Sequence, residues 1–327
     1  MNSDIYLIAG LAFITTCLGM FYRFAWLRVL GLKPVPSGFG LILVLFFLPL
    51  FFLNLAFYQI TILSIFLFGI SVVIYWFDDA YGLPPIFRVI LSVIIGCGLS
   101  YSFNVAETYP KIGYIWIVLS GGVFAFIFTN TLNFYDGADL NIAVLNMLVG
   151  LILVKYSMTG SEFYYIGILL LGFFLGFGNL NRKNETLYFG DSGCFLLAIL
   201  FLYAVLSSIK FAVAPLEFLA ALAFPLIDVI FVFAIRIYRK HDILTRHHLH
   251  LYQLIQNKYK KKYYLIPQII NVVIILCFLE LIDIIHLERD IITISICVIF
   301  TIIHYLFLRF YLFGPTHFFN DGYEDDR

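Results

Sequence analysis

Four clusters of polar residues interrupt an otherwise apolar chain, and their side chains suit the binding of phosphate groups with a divalent metal. They are Asp78-Asp79, the run from Asn130 to Asp139 that includes Asn133 and Asp136, Gly190-Asp191-Ser192-Gly193, and Arg246-His247-His248-Leu249-His250. Carboxylates are hard oxygen ligands, glycines let the backbone approach a bound group, and Arg and His donate hydrogen bonds to phosphate oxygens. Asp78 and Asp79 close an apolar run that ends Ile74-Tyr75-Trp76-Phe77. A carboxylate in a membrane segment costs about 2.5 to 3.5 kcal/mol on insertion scales, and two in succession repel each other. Such a pair requires a counter-ion, and beside an anionic substrate a divalent metal meets that need.

Each cluster alone also has a plainer reading. Asp78-Asp79 fit the aqueous end of a helix, although they sit unfavourably against the negative end of its dipole. Asp136-Gly137 is a turn dipeptide, so the second cluster reads as a turn. Gly190 to Gly193 reads both as a helix-capping turn and as a metal-pyrophosphate loop. His248 and His250 read as a surface pair in a basic loop or as zinc ligands. Zinc is disfavoured because no further Cys or His stands at ligand spacing.

The elements that must position these residues are membrane helices. The 327 residues are 62% hydrophobic, with 37 Phe and 22 Tyr, too little polar surface for a soluble globule. Zero formal net charge gives no sign of a nucleic-acid partner. Five scattered cysteines without CxxC spacing read as small buried hydrophobes. Met-Asn-Ser-Asp lacks the basic start of a signal peptide, so the first apolar run is expected to be retained as a span.

Since a crossing takes roughly 20 residues, the apolar runs predict an all-α polytopic protein of about eleven spans. They lie near 4–22, 39–57, 60–77, 86–105, 112–130, 140–156, 163–180, 194–209, 214–235, 264–285 and 291–312. One membrane domain is expected over 1–313, with a polar cytoplasmic tail over 314–327. Alternate connections carry sixteen Lys and Arg against four, which places the richer side in the cytoplasm and the N-terminus outside. All four polar clusters then fall on the cytoplasmic face. That predicts one active site built from four loops.

Together these residues resemble the polyprenyl-phosphate N-acetylhexosamine-1-phosphate transferase family. The resemblance runs from about Pro36 to Gln253. It is carried by Asp78-Asp79-Ala-Tyr-Gly82-Leu83 with Arg88 beyond, Asn130-x-x-Asn133-x-x-Asp136-Gly137-x-Asp139, Gly190-Asp191-Ser192-Gly193, Pro225-x-x-Asp228 and Arg246-x-His248-Leu-His250. It implies transfer of a sugar-1-phosphate from a UDP-sugar to undecaprenyl phosphate, with release of UMP and formation of a lipid pyrophosphate. Asp191 corresponds to the principal Mg²⁺ ligand, with Mn²⁺ a chemical substitute, and Asp78 and Asp79 to the pair that assists metal binding or activates the lipid phosphate. Asn133, Asp136 and Asp139 resemble positions lining the nucleotide pocket, with Asn181 and Arg246 as further substrate contacts. His248 and His250 match the pair that contacts the donor phosphates or sugar. The implied setting is a bacterial inner membrane, with room for a homodimer.

Several positions depart from the family pattern. Leu140 stands where glycine usually follows the last aspartate, Leu251 replaces a third histidine, Cys194 stands where serine is common, and the Pro36 to Gly40 loop lacks its usual basic residue. These differences favour the branch that initiates O-antigen or a related surface polysaccharide over the phospho-N-acetylmuramoyl-pentapeptide transferases of peptidoglycan synthesis. A secondary transporter would bury its carboxylates near the midplane and often repeat its halves. A CDP-alcohol phosphotransferase needs a signature that this chain lacks. A pore or scaffold explains the hydropathy but not the four motifs.

Overall fold

The computed structural model describes residues 2–32, 35–47, 62–103, 113–182, 187–211, 215–241, 248–259, 262–285 and 291–317. No strand occurs among them, and the chain is an all-α polytopic membrane protein. Eight helices among the described residues are long and apolar enough to cross a membrane. The second expected span, 39–57, is described only to residue 47, and the tail beyond 317 also lies outside the described residues.

Two compact units divide at Leu216 and Glu217. The first contains α1 (Asn2–Phe24), a π-helical turn (Ala25–Val29), a 3-10 turn (Phe39–Ile42), α2 (Ile62–Tyr81), α3 (Pro85–Phe103), α4 (Tyr114–Tyr135), α5 (Asn141–Tyr156), α6 (Glu162–Asn181) and α7 (Gly190–Phe211). Of α7's apolar window 83% is buried inside the protein, against 17% for α1, so α7 is the central post of this unit. Around it, α4 and α2 pack on α7, α3 packs on α4, and α6 joins α5 to α1. Lipid tails are as apolar as Leu, so such packing relies on close approach and aromatic contact rather than on hydrophobicity. Tyr75 of α2 accordingly stacks on Phe195 of α7 with ring centroids 4.4 Å apart, and Phe39 stacks on Phe177 at 5.9 Å.

The second unit contains α8 (Phe218–Tyr238), α9 (Leu251–Tyr259), α10 (Ile266–Ile284) and α11 (Ile291–His317). Here α8 packs against both α10 and α11. Short α9 has polar and charged residues on its outer side and buries Leu251, Tyr252 and Ile255.

Three of the helix ends that differ from the expected spans lie at motifs. The α2 helix continues through Asp78 and Asp79 to Tyr81, α4 runs on through Asn130 and Asn133 to Tyr135, and α7 starts at Gly190 rather than near 194. The physical reason is common to all three: polar residues that hydropathy reads as loops are satisfied by partners on other helices. The basic-residue count also changes, because Arg236 and Arg309 are 3% and 1% exposed within α8 and α11. Both stand among the sixteen basic residues counted on the richer side. Without them the split is fourteen against four, by subtraction of two from sixteen.

Candidate active site

The site in the first unit is organised by the N-terminus of α7, where four successive backbone N–H groups lack intrahelical acceptors. Asp136, the C-cap of α4, takes the first two: Gly190 donates to its Oδ2 at 2.7 Å and Phe189 to its Oδ1 at 3.3 Å. Asp79 takes the next two, from Asp191 at 2.9 Å and Ser192 at 3.0 Å. Ser192 Oγ donates to Asp79 at 2.8 Å and Ser37 Oγ at 2.9 Å. Asp79 therefore accepts four hydrogen bonds. Two carboxylates from distant helices cap α7 and face its positive dipole end, which also offsets their position at the negative ends of α2 and α4. Burial pushes the Asp136 carboxyl up to about 8, against the opposing pull of its two N–H donors.

Glycine is needed where this cap is closest. Gly190 has φ +86° and Gly38 has φ +80°, conformations that L side chains rarely adopt. A Cβ on Gly190 would run into the Gly38 backbone and lie 2.6 Å from Asp79 Oδ1. Gly40 donates its N–H to Phe189 O at 2.8 Å, tying the 3-10 turn to the same place.

Asp78 and Asp191 have different surroundings. Arg88 of α3 bridges them, with Nε 3.3 Å from Asp78 Oδ2 and Nη1 2.8 Å from Asp191 Oδ2. Leu83 N–H donates to Asp78 Oδ1 and Asn133 Nδ2 to Asp191 Oδ1. The Asp191 side chain keeps 18% exposure and Arg88 31%, whereas Asp79 is 5% exposed as a residue. Asp191 and Arg88 are therefore the part of the cluster open to a substrate, while Asp78, 4% exposed, is as deeply buried as Asp79. Among the described residues no group of three His, Cys, Asp or Glu side chains is arranged to hold a metal. A divalent ion here would have at most two carboxylates and would complete its shell with phosphate and water, the usual manner of Mg²⁺. The donor set fits that ion.

Asn181 does not face this opening. It is fully buried, and its amide clamps two backbone segments: Leu140 N–H donates to Oδ1 at 2.5 Å and Nδ2 donates to Leu187 O at 2.8 Å. The clamp explains one departure from the family pattern. Leu140 has φ +64°, a left-handed conformation that glycine adopts without strain. Asp139 lies partly buried in the same turn.

The histidine motif belongs to the second unit. Arg246 lies outside the described residues, His248 is exposed, and His250 is 1% exposed. His250 Nδ1 lies 3.0 Å from Asp228 Oδ2, while Asp228 Oδ1 accepts from Leu251 N–H at 2.9 Å and Tyr305 OH at 2.8 Å. Arg309 donates to Tyr305 OH at 2.9 Å and Leu249 O at 3.3 Å, and lies over the Phe231 ring. Asp228, Tyr305 and Arg309 thus anchor residues 249–251. Asp228 was visible in Pro225-x-x-Asp228, but Tyr305 and Arg309 lay hidden in the last apolar run, where an Arg four residues after a Tyr was the available signal.

Three of the four clusters, represented by Asp78, Asp79, Asn133, Asp136 and Asp191, therefore meet within the first unit, and Asn181 braces them from beneath. A family model described as glycosyl transferase family 4 matches residues 58–209, a stretch that contains all six of these residues. No curated protein matches the chain. The match supports a transferase of the polyprenyl-phosphate sugar-phosphate kind, acting in a membrane on lipid-phosphate and sugar-nucleotide substrates, and leaves the branch open.

Proposed function

We propose that the protein transfers an N-acetylhexosamine-1-phosphate from a UDP-sugar to undecaprenyl phosphate, releasing UMP and initiating a lipid-linked surface polysaccharide such as O-antigen. The observation that carries this reading is the Asp78–Arg88–Asp191 bridge at the mouth of a helix N-terminus, inside the matched stretch. In the reaction an acceptor phosphate oxygen bonds to the donor's β-phosphorus, and the bond from that phosphorus to the oxygen bridging to UMP breaks. One pyrophosphate linkage replaces another, so no ATP is needed.

Phosphoryl transfer depends mainly on positioning and charge neutralisation. Arg88 supplies a guanidinium fork beside both phosphates, and Asn133 orients the Asp191 carboxylate. Asp191, with Asp78, would hold Mg²⁺, which when bound supplies positive charge to the pyrophosphate oxygens. Asp79 and Asp136 fix the α7 N-terminus that carries Asp191, so they act as positioning residues. His248, exposed, is the donor contact of the histidine motif, and His250 orients that segment. The setting is a bacterial cytoplasmic membrane with the N-terminus outside and the site facing the cytoplasm. UMP release from purified protein, Mg²⁺, undecaprenyl phosphate and a panel of UDP-sugars tests the reading. Release with an N-acetylhexosamine donor is expected, and none with any donor would overturn it.

A further inference from the structure

A second cluster of cations lies away from the aspartates, at the end of the first helix. Arg23 and Arg28 line one cavity of about 300 Å³, whose walls include Met20, Phe24, Leu180 and Leu187. Both arginines are exposed. Neither has a carboxylate partner among the described residues. In an unbroken α-helix, residues five apart point about 140° away from each other. Between these two, however, the chain forms a π turn, Ala25–Val29, with Leu30 N–H bonded to Ala25 O at 2.9 Å. The extra residue in that turn rotates Arg28 back toward the face of Arg23, and such π turns concentrate at functional sites.

Depth fits the same ligand. The apolar span runs from Ser3 to Val29, 27 residues. At 1.5 Å per residue it measures about 40 Å, enough to cross the hydrocarbon and reach the headgroups. Arg23, twenty residues on from Ser3, stands about 30 Å along that axis, at phosphate depth. Phe24 and Met20 beside it are 58% and 59% exposed, available to acyl chains. A guanidinium pair matches phosphate oxygens in charge and fork geometry.

We propose that this cleft binds the phosphate of an anionic phospholipid, held between Arg23 and Arg28 with its chains against Met20 and Phe24. The same turn carries Trp26, fully buried and packed edge-on against Trp76, and beside it Tyr22 of α1 accepts from Trp76 Nε1 at 2.9 Å and donates to Ser37 O at 2.6 Å. A bound headgroup would thus brace the turn that supports the Ser37–Asp79 contact.

Native mass spectrometry of the purified full chain, titrated with phosphatidylglycerol or phosphatidylcholine, tests this directly. The parent should retain phosphatidylglycerol preferentially, and Arg23→Gln/Arg28→Gln should weaken that retention about 30-fold. Arg239→Gln/Lys240→Gln, which removes the same charge from the second unit, should retain it like the parent. Equal retention by the Arg23/Arg28 variant, or equal loss in the control, would overturn the site. Displacement by millimolar inorganic phosphate would overturn the lipid as its occupant.

Discussion

Asp79 accepts two hydrogen bonds from Ser192, one from its backbone N–H at 3.0 Å and one from its hydroxyl at 2.8 Å, across 113 residues of sequence. With Asp191 N–H and Ser37 Oγ also donating to it, this carboxylate is a helix cap supplied by another helix. Its neighbour Asp78 instead shares Arg88 with Asp191. Adjacent residues of the same type therefore do different work.

The division predicts different failures for the two conservative variants. Asp79→Asn turns an amide N–H₂ toward donors and leaves buried groups unmatched, so it should lose about 1 to 3 kcal/mol of stability. Asp78→Asn should melt closer to the parent and still fail to turn over. Thermal melting in detergent beside UMP release separates them, and identical melting of both variants would remove the capping role.

Arg88→Lys keeps the charge but cannot fork between Asp78 and Asp191. Turnover should fall at least about tenfold, the scale of a lost charge-assisted hydrogen bond. The folded fraction by size-exclusion chromatography should not change. Parent-like turnover would show that a single point charge suffices there.

Leu140 stands where the backbone asks for a left-handed conformation, at roughly 1 to 2 kcal/mol for an L residue. Leu140→Gly should melt at or above the parent temperature, whereas β-branched Leu140→Val should melt below it. A lower melting point for the glycine variant would mean that the Leu140 side chain, 3.4 Å from the Cβ position of Gly178, outweighs the strain.

The two histidines should also separate. His250→Ala leaves Asp228 without one partner in a fully buried knot and should destabilise the protein by about 3 kcal/mol or more. His248→Ala should melt normally and raise the KM for the UDP-sugar. Normal melting of His250→Ala with weakened donor binding would return His250 to the substrate.

The aspartates were legible in the sequence because charge is rare in so apolar a chain, and each of the eleven expected spans has helix among the described residues, the second over 43–47 alone. Their roles were not legible. Nothing near Asp79 shows that its donors come from Ser37, Asp191 and Ser192, and nothing near Asn181 shows that it clamps Leu140 to Leu187. Hydropathy also ended α2 and α4 too early and began α7 too late, since it treats polar residues as wet when tertiary partners keep them helical and buried. Arg309 departs from its surroundings in the other direction. A basic residue near the end of an apolar run reads as a membrane-edge anchor, but this one turns inward to Tyr305.

The central claim is that phosphorus moves with the sugar, which separates sugar-phosphate transfer from simple glycosyl transfer. Purified protein incubated with undecaprenyl phosphate, Mg²⁺ and UDP-N-acetylglucosamine carrying ³²P in the β-phosphate reads this in one extraction. The label is predicted to enter the organic phase as lipid pyrophosphate while UMP remains unlabelled, and Asp191→Asn should abolish its transfer. Sugar entering the lipid while the label stays in soluble UDP would contradict the mechanism.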